Sequence, residues 1–294
     1  MPLSATQLAY ILRTYVLDRR KPFLASLKLT YRCNLRCRQC PFYSLPAPDL
    51  TFGQAIAIID RLYARGDRIL IFEGGEPFLW RDGPYRIHDL ITYARRSFFS
   101  TGVTSNGTLP LDVPSDVVWV SIDGLRDTHN ALRGAPIFDP VIANVRASRH
   151  PRLLVHVTVN SVNAAEIPRL LEYLAGLFRG ITLQFYYPYN GRDDLFLDFE
   201  RRERLLDEVI RLKHAGLPIQ NSTAALQALK HNRWTCRDSL IDNANPDGRI
   251  SQGCYLKGRA DIDCSRCGFS PHTEISLACR GNLQAILAGL RIFL

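Results

Sequence analysis

Cys33, Cys37 and Cys40 fall within eight residues in a C-x3-C-x2-C spacing, which restricts the chain to folds that present three thiols on one short loop. Thiolates are the soft ligands that iron–sulfur clusters select. Three of them can hold three irons of a cubane 4Fe–4S cluster and leave the fourth iron without a protein ligand. An open iron of this kind is a place for chemistry rather than for electron storage alone. A zinc site would want a fourth ligand nearby, and no His or Cys lies between Cys40 and His88. A disulfide framework suits small secreted domains, whereas this chain has 294 residues and reads as lacking a secretory leader.

The surroundings of the triplet point to alternating strands and helices. Residues 23–30 carry apolar side chains as a strand does, which puts the cysteines at the C-terminal end of a first strand. Residues 51–64 read as a helix: Thr51 and Gln54 make a capping-box pair, and Ile56, Ile59, Leu62 and Tyr63 recur at helical spacing. A second strand at 68–72 runs into Glu73-Gly-Gly-Glu-Pro77, where adjacent glycines allow close backbone approach to a ligand and leave amides to bind it. Further strand-like runs at 99–104, 117–122, 153–159 and 181–186 are separated by helical or irregular stretches such as 167–178. Six strands with such crossovers imply a parallel sheet. Polar groups stand at the strand ends: Thr104-Ser-Asn-Gly107, Ser121-Ile-Asp-Gly124 and Asn160. Each is also an ordinary turn signature.

The segment Tyr31-Arg-Cys-Asn-Leu-Arg-Cys-Arg-Gln-Cys-Pro41, followed one helix and one strand later by Gly74-Gly-Glu-Pro77, resembles the cluster loop and second motif of the radical S-adenosylmethionine (SAM) enzymes. The resemblance implies an α/β fold, a partial (β/α)6 TIM-like barrel whose ligands gather at the C-terminal strand ends. It implies a 4Fe–4S cluster on Cys33, Cys37 and Cys40, whose open iron chelates SAM and whose electron cleaves SAM to a 5′-deoxyadenosyl radical. Gly74, Gly75, Glu76 and Pro77 would then serve the SAM methionine, with Ser105, Asn106, Ser121 and Arg133 near SAM. Asp123 and Tyr187, at or just beyond strand ends, would orient or deprotonate the substrate. Many relatives carry an aromatic residue just before the third cysteine; here it is Gln39, which leaves adenine packing at that position in question.

Beyond Tyr187 the barrel pattern stops. Helices at 200–214 and 223–230 lead to Cys236, Cys254, Cys264 and Cys267, with Asn245-Pro-Asp-Gly248 marking a hairpin between the first two cysteines. Four thiolates suit either a second iron–sulfur cluster with no open iron or a zinc ion. The pattern resembles the shortened auxiliary-cluster cap of the SPASM and twitch subgroup, which implies one auxiliary 4Fe–4S cluster. Cys279, in an apolar context, reads as a packed thiol. The expected organisation is an N-terminal helix (1–22), a barrel (23–198) and a small cysteine-rich cap (199–294).

A hydrophobic fraction of 46% supports an ordinary core, and no apolar run is long enough to span a bilayer. Eight cysteines, most at cluster spacing, suggest a reducing, cytoplasmic setting. A formal charge of +9 favours acidic partners, but the basic residues are scattered and no nucleic-acid module is recognisable. Residues 8–17 and 283–294 read as terminal helices that pack on the barrel, with peripheral membrane contact physically open to them. The resemblance further implies a reductant such as flavodoxin or ferredoxin. The substrate stays open between a ribosomally made peptide, favoured by the auxiliary-cluster pattern, and a small molecule or lipid. The lipid alternative rests on a similarity of Gly253-Cys-Tyr-Leu256 with its following C-x2-C pair, together with the N-terminal helix before Arg20-Lys-Pro-Phe23, to adenosyl-transferring enzymes of hopanoid synthesis. A non-catalytic metal scaffold is the competing class, and it would have no use for the Gly-Gly-Glu-Pro motif.

Overall fold

A computed structural model describes residues 9, 10, 13 and 21–294. The helix expected at 8–17 lies outside the described residues except for Ala9, Tyr10 and Arg13. Six strands, β1 (Leu24–Lys28), β2 (Ile69–Glu73), β3 (Ser100–Ser105), β4 (Val117–Ser121), β5 (Leu153–Val159) and β6 (Gly180–Phe185), lie side by side in chain order. Every neighbouring pair among them is parallel, as a partial (β/α)6 barrel requires. Helices α1 (Phe52–Arg65), α2 (Ile87–Ala94), α3 (Arg126–Arg133), α4 (Phe138–Ala147) and α5 (Ile167–Ala175) lie in the crossovers, except that β3 reaches β4 through residues 106–116 without a helix. Helix α1 begins at the Thr51–Gln54 capping box, buries Ala55, Ile58, Ile59 and Leu62, and stops at Gly66, whose φ of 125° only glycine adopts readily.

The two faces of the barrel strands differ. Ala25, Leu27, Leu70, Phe72, Val118, Val120, Val155 and Val157 point outward into one core shared with the helices. The inner face is graded along the strands. At the N-terminal end Phe23, Ile69, Ile71, Val117, Trp119 and Leu154 form an apolar plug that the tail helix seals with Ile292 and Phe293. Toward the C-terminal ends the inner positions become polar, with Lys28, Glu73, Ser121, His156, Thr158 and Gln184, most of them partly open to solvent. This is the geometry of a closed floor and a wet mouth.

The rest of the chain comprises α6 (Phe199–His214), α7 (Thr223–Lys230), β7 (Ile241–Ala244), β8 (Ile250–Gln252), α8 (Ser270–Cys279) and α9 (Leu283–Phe293). The hairpin expected around Asn245–Gly248 is β7–β8, but it does not stand apart from the barrel. Strand β7 pairs in parallel with β1 over four positions, so one sheet runs β8-β7-β1-β2-β3-β4-β5-β6. At the opposite edge, residues 218–221 cover β6: Ile181 exchanges backbone hydrogen bonds with Pro218 and Gln220 at 2.9 and 2.8 Å. The Asn221 amide does the same for both backbone groups of Leu183 at 2.8 and 3.0 Å. Covered edges do not recruit stray strands. Cys279 packs with Leu240, Ile241 and Ile275. Among the described residues no helix is long and apolar enough to cross a membrane.

Candidate active site

The cysteine loop leaves β1 and is gripped from two sides. The amides of Gly75 and Glu76 donate to the carbonyls of Thr30 (2.8 Å) and Arg32 (2.9 Å), and the Arg38 amide donates to Leu132 at the end of α3 (2.8 Å). The grip explains the glycine pair. A Cβ on Gly75 would sit 2.0 Å from the Arg32 carbonyl oxygen, and one on Gly74 would sit 2.4 Å from that of Thr30. The two amides of Gly75 and Glu76 are thus spent on the cysteine loop itself.

Each sulfur of the loop has an N–H donor. The Leu35 amide lies 3.4 Å from Cys33 Sγ and the Phe42 amide 3.5 Å from Cys40 Sγ. Two side chains add to these: Asn106 Nδ2 stands 3.8 Å from Cys33 Sγ, and Arg133 Nη1 stands 3.8 Å from Cys37 Sγ. The three thiols lie close enough to feel one another's charge. Burial pushes Cys33 up to about 11 and raises Cys37 as well. Thiols held against their ionisation yet supplied with donors are a donor set suited to soft metal, which displaces the proton on ligation.

Of the remaining expected site residues, Asp123 and Glu76 touch this loop directly. Asp123, fully buried, accepts from Gln39 Nε2 (2.6 Å), Arg133 Nη2 (2.7 Å) and the Thr158 amide (2.9 Å). Gln39, in the position where relatives carry an aromatic residue, therefore braces Asp123. Glu76 is likewise buried. Its carboxylate accepts from Ser105 Oγ (3.0 Å) and from the amides of Asn106 (2.7 Å) and Phe78 (3.1 Å), while burial pushes it up to about 7. Glu76 and Ser105 thus tie the end of β2 to the end of β3, and Pro77 is buried in the one-turn helix that follows. Ser121 ends β4 at the lumen, partly exposed. Tyr187 faces the cap rather than the lumen. Its hydroxyl donates to the Asp261 carbonyl (2.6 Å) and accepts from the Asp263 amide (2.8 Å), holding the loop just before Cys264. Asn160 closes its own turn by accepting from the amides of Val162 and Asn163.

Several lumen residues were not singled out from the sequence. Lys28, 1% exposed, forms an ion pair with Glu73 and donates to the Tyr255 hydroxyl (2.7 Å). Its ammonium also lies 4.7 and 4.6 Å from the ring centres of Phe42 and Tyr255. Burial pushes Lys28 down to about 8. His156 meets Thr182 Oγ1 at 2.9 Å, and burial pushes it down to about 4. The available signal was polar residues at alternate positions in otherwise apolar strands: Ser26 and Lys28, His156 and Thr158, Thr182 and Gln184.

The second cysteine group reaches this mouth through Tyr255, the neighbour of Cys254, whose hydroxyl accepts from Lys28. Cys254, Cys264 and Cys267 lie near enough to Cys236 to help burial hold its thiol up. Asp238 accepts from the Cys254 amide at 3.2 Å, and His272 Nδ1 lies 4.0 Å from Cys236 Sγ. Between the two groups runs an aromatic layer. Phe42, whose amide faces Cys40, packs edge-on against Tyr255 at 5.9 Å between ring centres, and Tyr255 follows Cys254 directly.

Residues 27–174, half of the chain, match the family described as the Radical SAM superfamily. The chain belongs to the radical SAM superfamily. Members of this family use a 4Fe–4S cluster together with SAM, and the thiol triplet fits that group. The chain is similar to the Fe-coproporphyrin III synthase of Methanosarcina barkeri (strain Fusaro), 28% identical over 217 residues that cover 65% of this chain and 53% of that protein. It is also similar to the sporulation killing factor maturation protein SkfB of Bacillus subtilis (strain 168), 30% identical over 202 residues, 63% of this chain and 48% of SkfB. The chain thus spans about half the length of these curated relatives. The fold is that of Streptococcus suis SuiB. The SAM-bound SuiB structure superposes with a TM-score of 0.67 at 14% identity, covering 98% of this chain and 72% of SuiB. The SuiB structure with its precursor peptide SuiA gives 0.65, covering 98% of this chain and 70% of SuiB.

Proposed function

We propose that this radical SAM protein is an enzyme that cleaves SAM reductively at Cys33, Cys37 and Cys40 and removes a hydrogen atom from a substrate held in the lumen. When bound, the 4Fe–4S cluster supplies the electron that splits SAM into methionine and a 5′-deoxyadenosyl radical. The observation that carries the reading is the set of donors on the three sulfurs, two of them, Asn106 and Arg133, reaching across from other elements of the barrel.

In this reading the buried Asp123–Arg133 pair fixes Cys37, and Asn106 fixes Cys33. Glu76 and Ser105 set the spacing of two strand ends that face SAM. Ser121 and the polar inner rim with Lys28, Glu73 and His156 receive the substrate, while Tyr187 places the cap loop. Cys236, Cys254, Cys264 and Cys267 hold one auxiliary 4Fe–4S cluster, as in the SPASM and twitch subgroup. Four thiolates suit a zinc ion as well as a cubane, and metal analysis of anaerobically purified protein separates the two.

The favoured substrate is a ribosomally made peptide, since SkfB is a maturation protein and SuiB was solved with a precursor peptide. The match to Fe-coproporphyrin III synthase favours a small-molecule substrate as the second reading. The test is anaerobic reconstitution followed by reduction and addition of SAM. Release of 5′-deoxyadenosine is expected, and its absence in fully loaded protein would sink the enzyme reading. Loaded protein should carry about eight irons, from two cubanes of four. A candidate peptide and a candidate tetrapyrrole, each deuterated at the attacked carbon, then separate the substrate readings. The true substrate passes its label into 5′-deoxyadenosine.

A further inference from the structure

Arg202 on α6 is fully buried, yet it forms no ion pair with a carboxylate among the described residues. Its guanidinium lies among three phenylalanine rings, 4.3 Å from the centre of Phe185, 4.7 Å from Phe199 and 5.5 Å from Phe196. Nη1 donates to the Cys267 carbonyl at 3.1 Å, while Nε and Nη2 are buried with no partner among the described residues. Aromatic faces attract a cation but do not replace an anion, and a buried charge normally has both a counter-charge and filled hydrogen bonds. Its one filled hydrogen bond ends on the backbone of Cys267, so the guanidinium stands beside a member of the cap cysteine group. A negative charge on the cysteine group beside it would supply the counter-charge that Arg202 lacks.

We propose that Arg202 is the built-in counter-charge of the group held by Cys236, Cys254, Cys264 and Cys267, and that it raises that group's reduction potential. The proposal rests on the reading that these cysteines hold an auxiliary iron–sulfur cluster. One-electron reduction adds a negative charge to a four-thiolate cluster. A fixed cation beside it, in a region of low dielectric, stabilises the reduced form over the oxidised one. The electron comes from an external low-potential reductant such as dithionite or titanium(III) citrate, and no bond to Arg202 forms or breaks. The phenylalanines hold the guanidinium in place and keep out the water that would screen it.

The test uses full-length protein carrying Cys33→Ala, Cys37→Ala and Cys40→Ala, so that only the cap group gives a signal. Arg202→Met removes the charge and keeps the bulk, and Arg202→Lys keeps the charge. Redox titration followed by electron paramagnetic resonance should show the Met variant shifted to a more negative midpoint and the Lys variant close to the parent. A Met variant that keeps its iron and the parent midpoint overturns the proposal, as does a Lys variant shifted as far as Met. Loss of cap iron from Met alone supports it; loss from both counts against it. Thermal melts supply an independent readout. In chelator-stripped protein Arg202→Met should melt no lower than the parent, whereas in loaded protein it should melt lower. An equal drop in both forms means that Arg202 only packs, and the proposal fails. Zinc instead of iron at the cap would defeat the auxiliary-cluster reading alone, because a four-thiolate zinc site is also anionic and the stripped-versus-loaded comparison still decides the role of Arg202.

Discussion

Arg133 touches both Asp123 and Cys37: Nη2 lies 2.7 Å from Asp123 Oδ2, and Nη1 lies 3.8 Å from Cys37 Sγ. All three groups are buried. Asp123→Ala leaves the Arg133 charge, the Gln39 amide and the Thr158 amide without their acceptor. Breaking one side of a buried ion pair costs about 3–5 kcal/mol. Thermal or denaturant unfolding should show a loss of that size, with iron lost from the N-terminal site and kept at the cap. Adding Arg133→Met to Asp123→Ala should restore part of the stability, because the unpaired charge is gone. Strict additivity of the two losses would show that the pair does not act as a unit.

Gly75→Ala would drive a methyl group into the Arg32 carbonyl, 2.0 Å from the ideal Cβ position. The neighbour is backbone and cannot rotate aside, so the cysteine loop must shift. The expected result is a drop in iron from about eight to about four per chain, the content of one cubane, and loss of SAM cleavage. An alanine variant with full iron and undiminished 5′-deoxyadenosine release would show that the loop tolerates the displacement.

Tyr187→Phe removes a hydroxyl that serves the Asp261 carbonyl and the Asp263 amide together. Leaving such groups without a partner costs about 1–3 kcal/mol. The damage should fall on the loop before Cys264. Cap iron should become easier to chelate while SAM cleavage at the other site continues. Unchanged chelation kinetics would remove Tyr187 from any role in holding that loop.

A pH dependence arises at the foot of the sheet. Asp67 is fully buried, and its burial together with the adjoining Asp242 carboxylate holds its carboxyl well above the usual range. Arg65 at the end of α1 pairs with Asp242 on β7. A carboxyl raised on folding binds more protons in the folded than in the unfolded chain. Its contribution is therefore fully present below the unfolded value and is lost as pH rises, at no more than about 1.4 kcal/mol per pH unit. Asp67→Asn removes this titration. Relative to the parent, it should gain stability steadily from about pH 4 through neutrality. Denaturant melts at a series of pH values will show this trend, and a flat difference would mean that Asp67 ionises normally.

The sequence showed those features whose causes are local. The Thr51–Gln54 cap, the apolar strands and the close cysteine spacing each follow from neighbouring residues, and the strands and α1 stand within a residue or two of their expected ends. Helix α3 is illegible in the sequence because all but two of its residues, RDTHNALR, are polar; it buries His129 and Arg133 along with Leu132. No apolar periodicity can reveal a helix whose inward face carries ionisable side chains. The use of the Gly75 and Glu76 amides was equally hidden, since it depends on where Thr30 and Arg32 stand in space. The Lys28–Glu73–Tyr255 cluster joins residues up to 227 positions apart. A lysine at the end of an apolar strand gives no hint of such partners.

The pairing of β7 with β1 has a mechanical consequence. Strand β1, which launches the loop of Cys33, Cys37 and Cys40, is held along both edges, from Leu24 beside Ile241 to Leu27 beside Ala244 on the cap side. The hairpin that separates Cys236 from Cys254 is therefore a continuation of the same sheet, not a lid on a hinge. Swinging it away would tear a parallel ladder out of a continuous sheet. The backbone ladder thus fixes where the cap hairpin stands relative to the strand that launches the Cys33–Cys40 loop. A gate that admits substrate would then be built from loops at the mouth rather than from this hairpin.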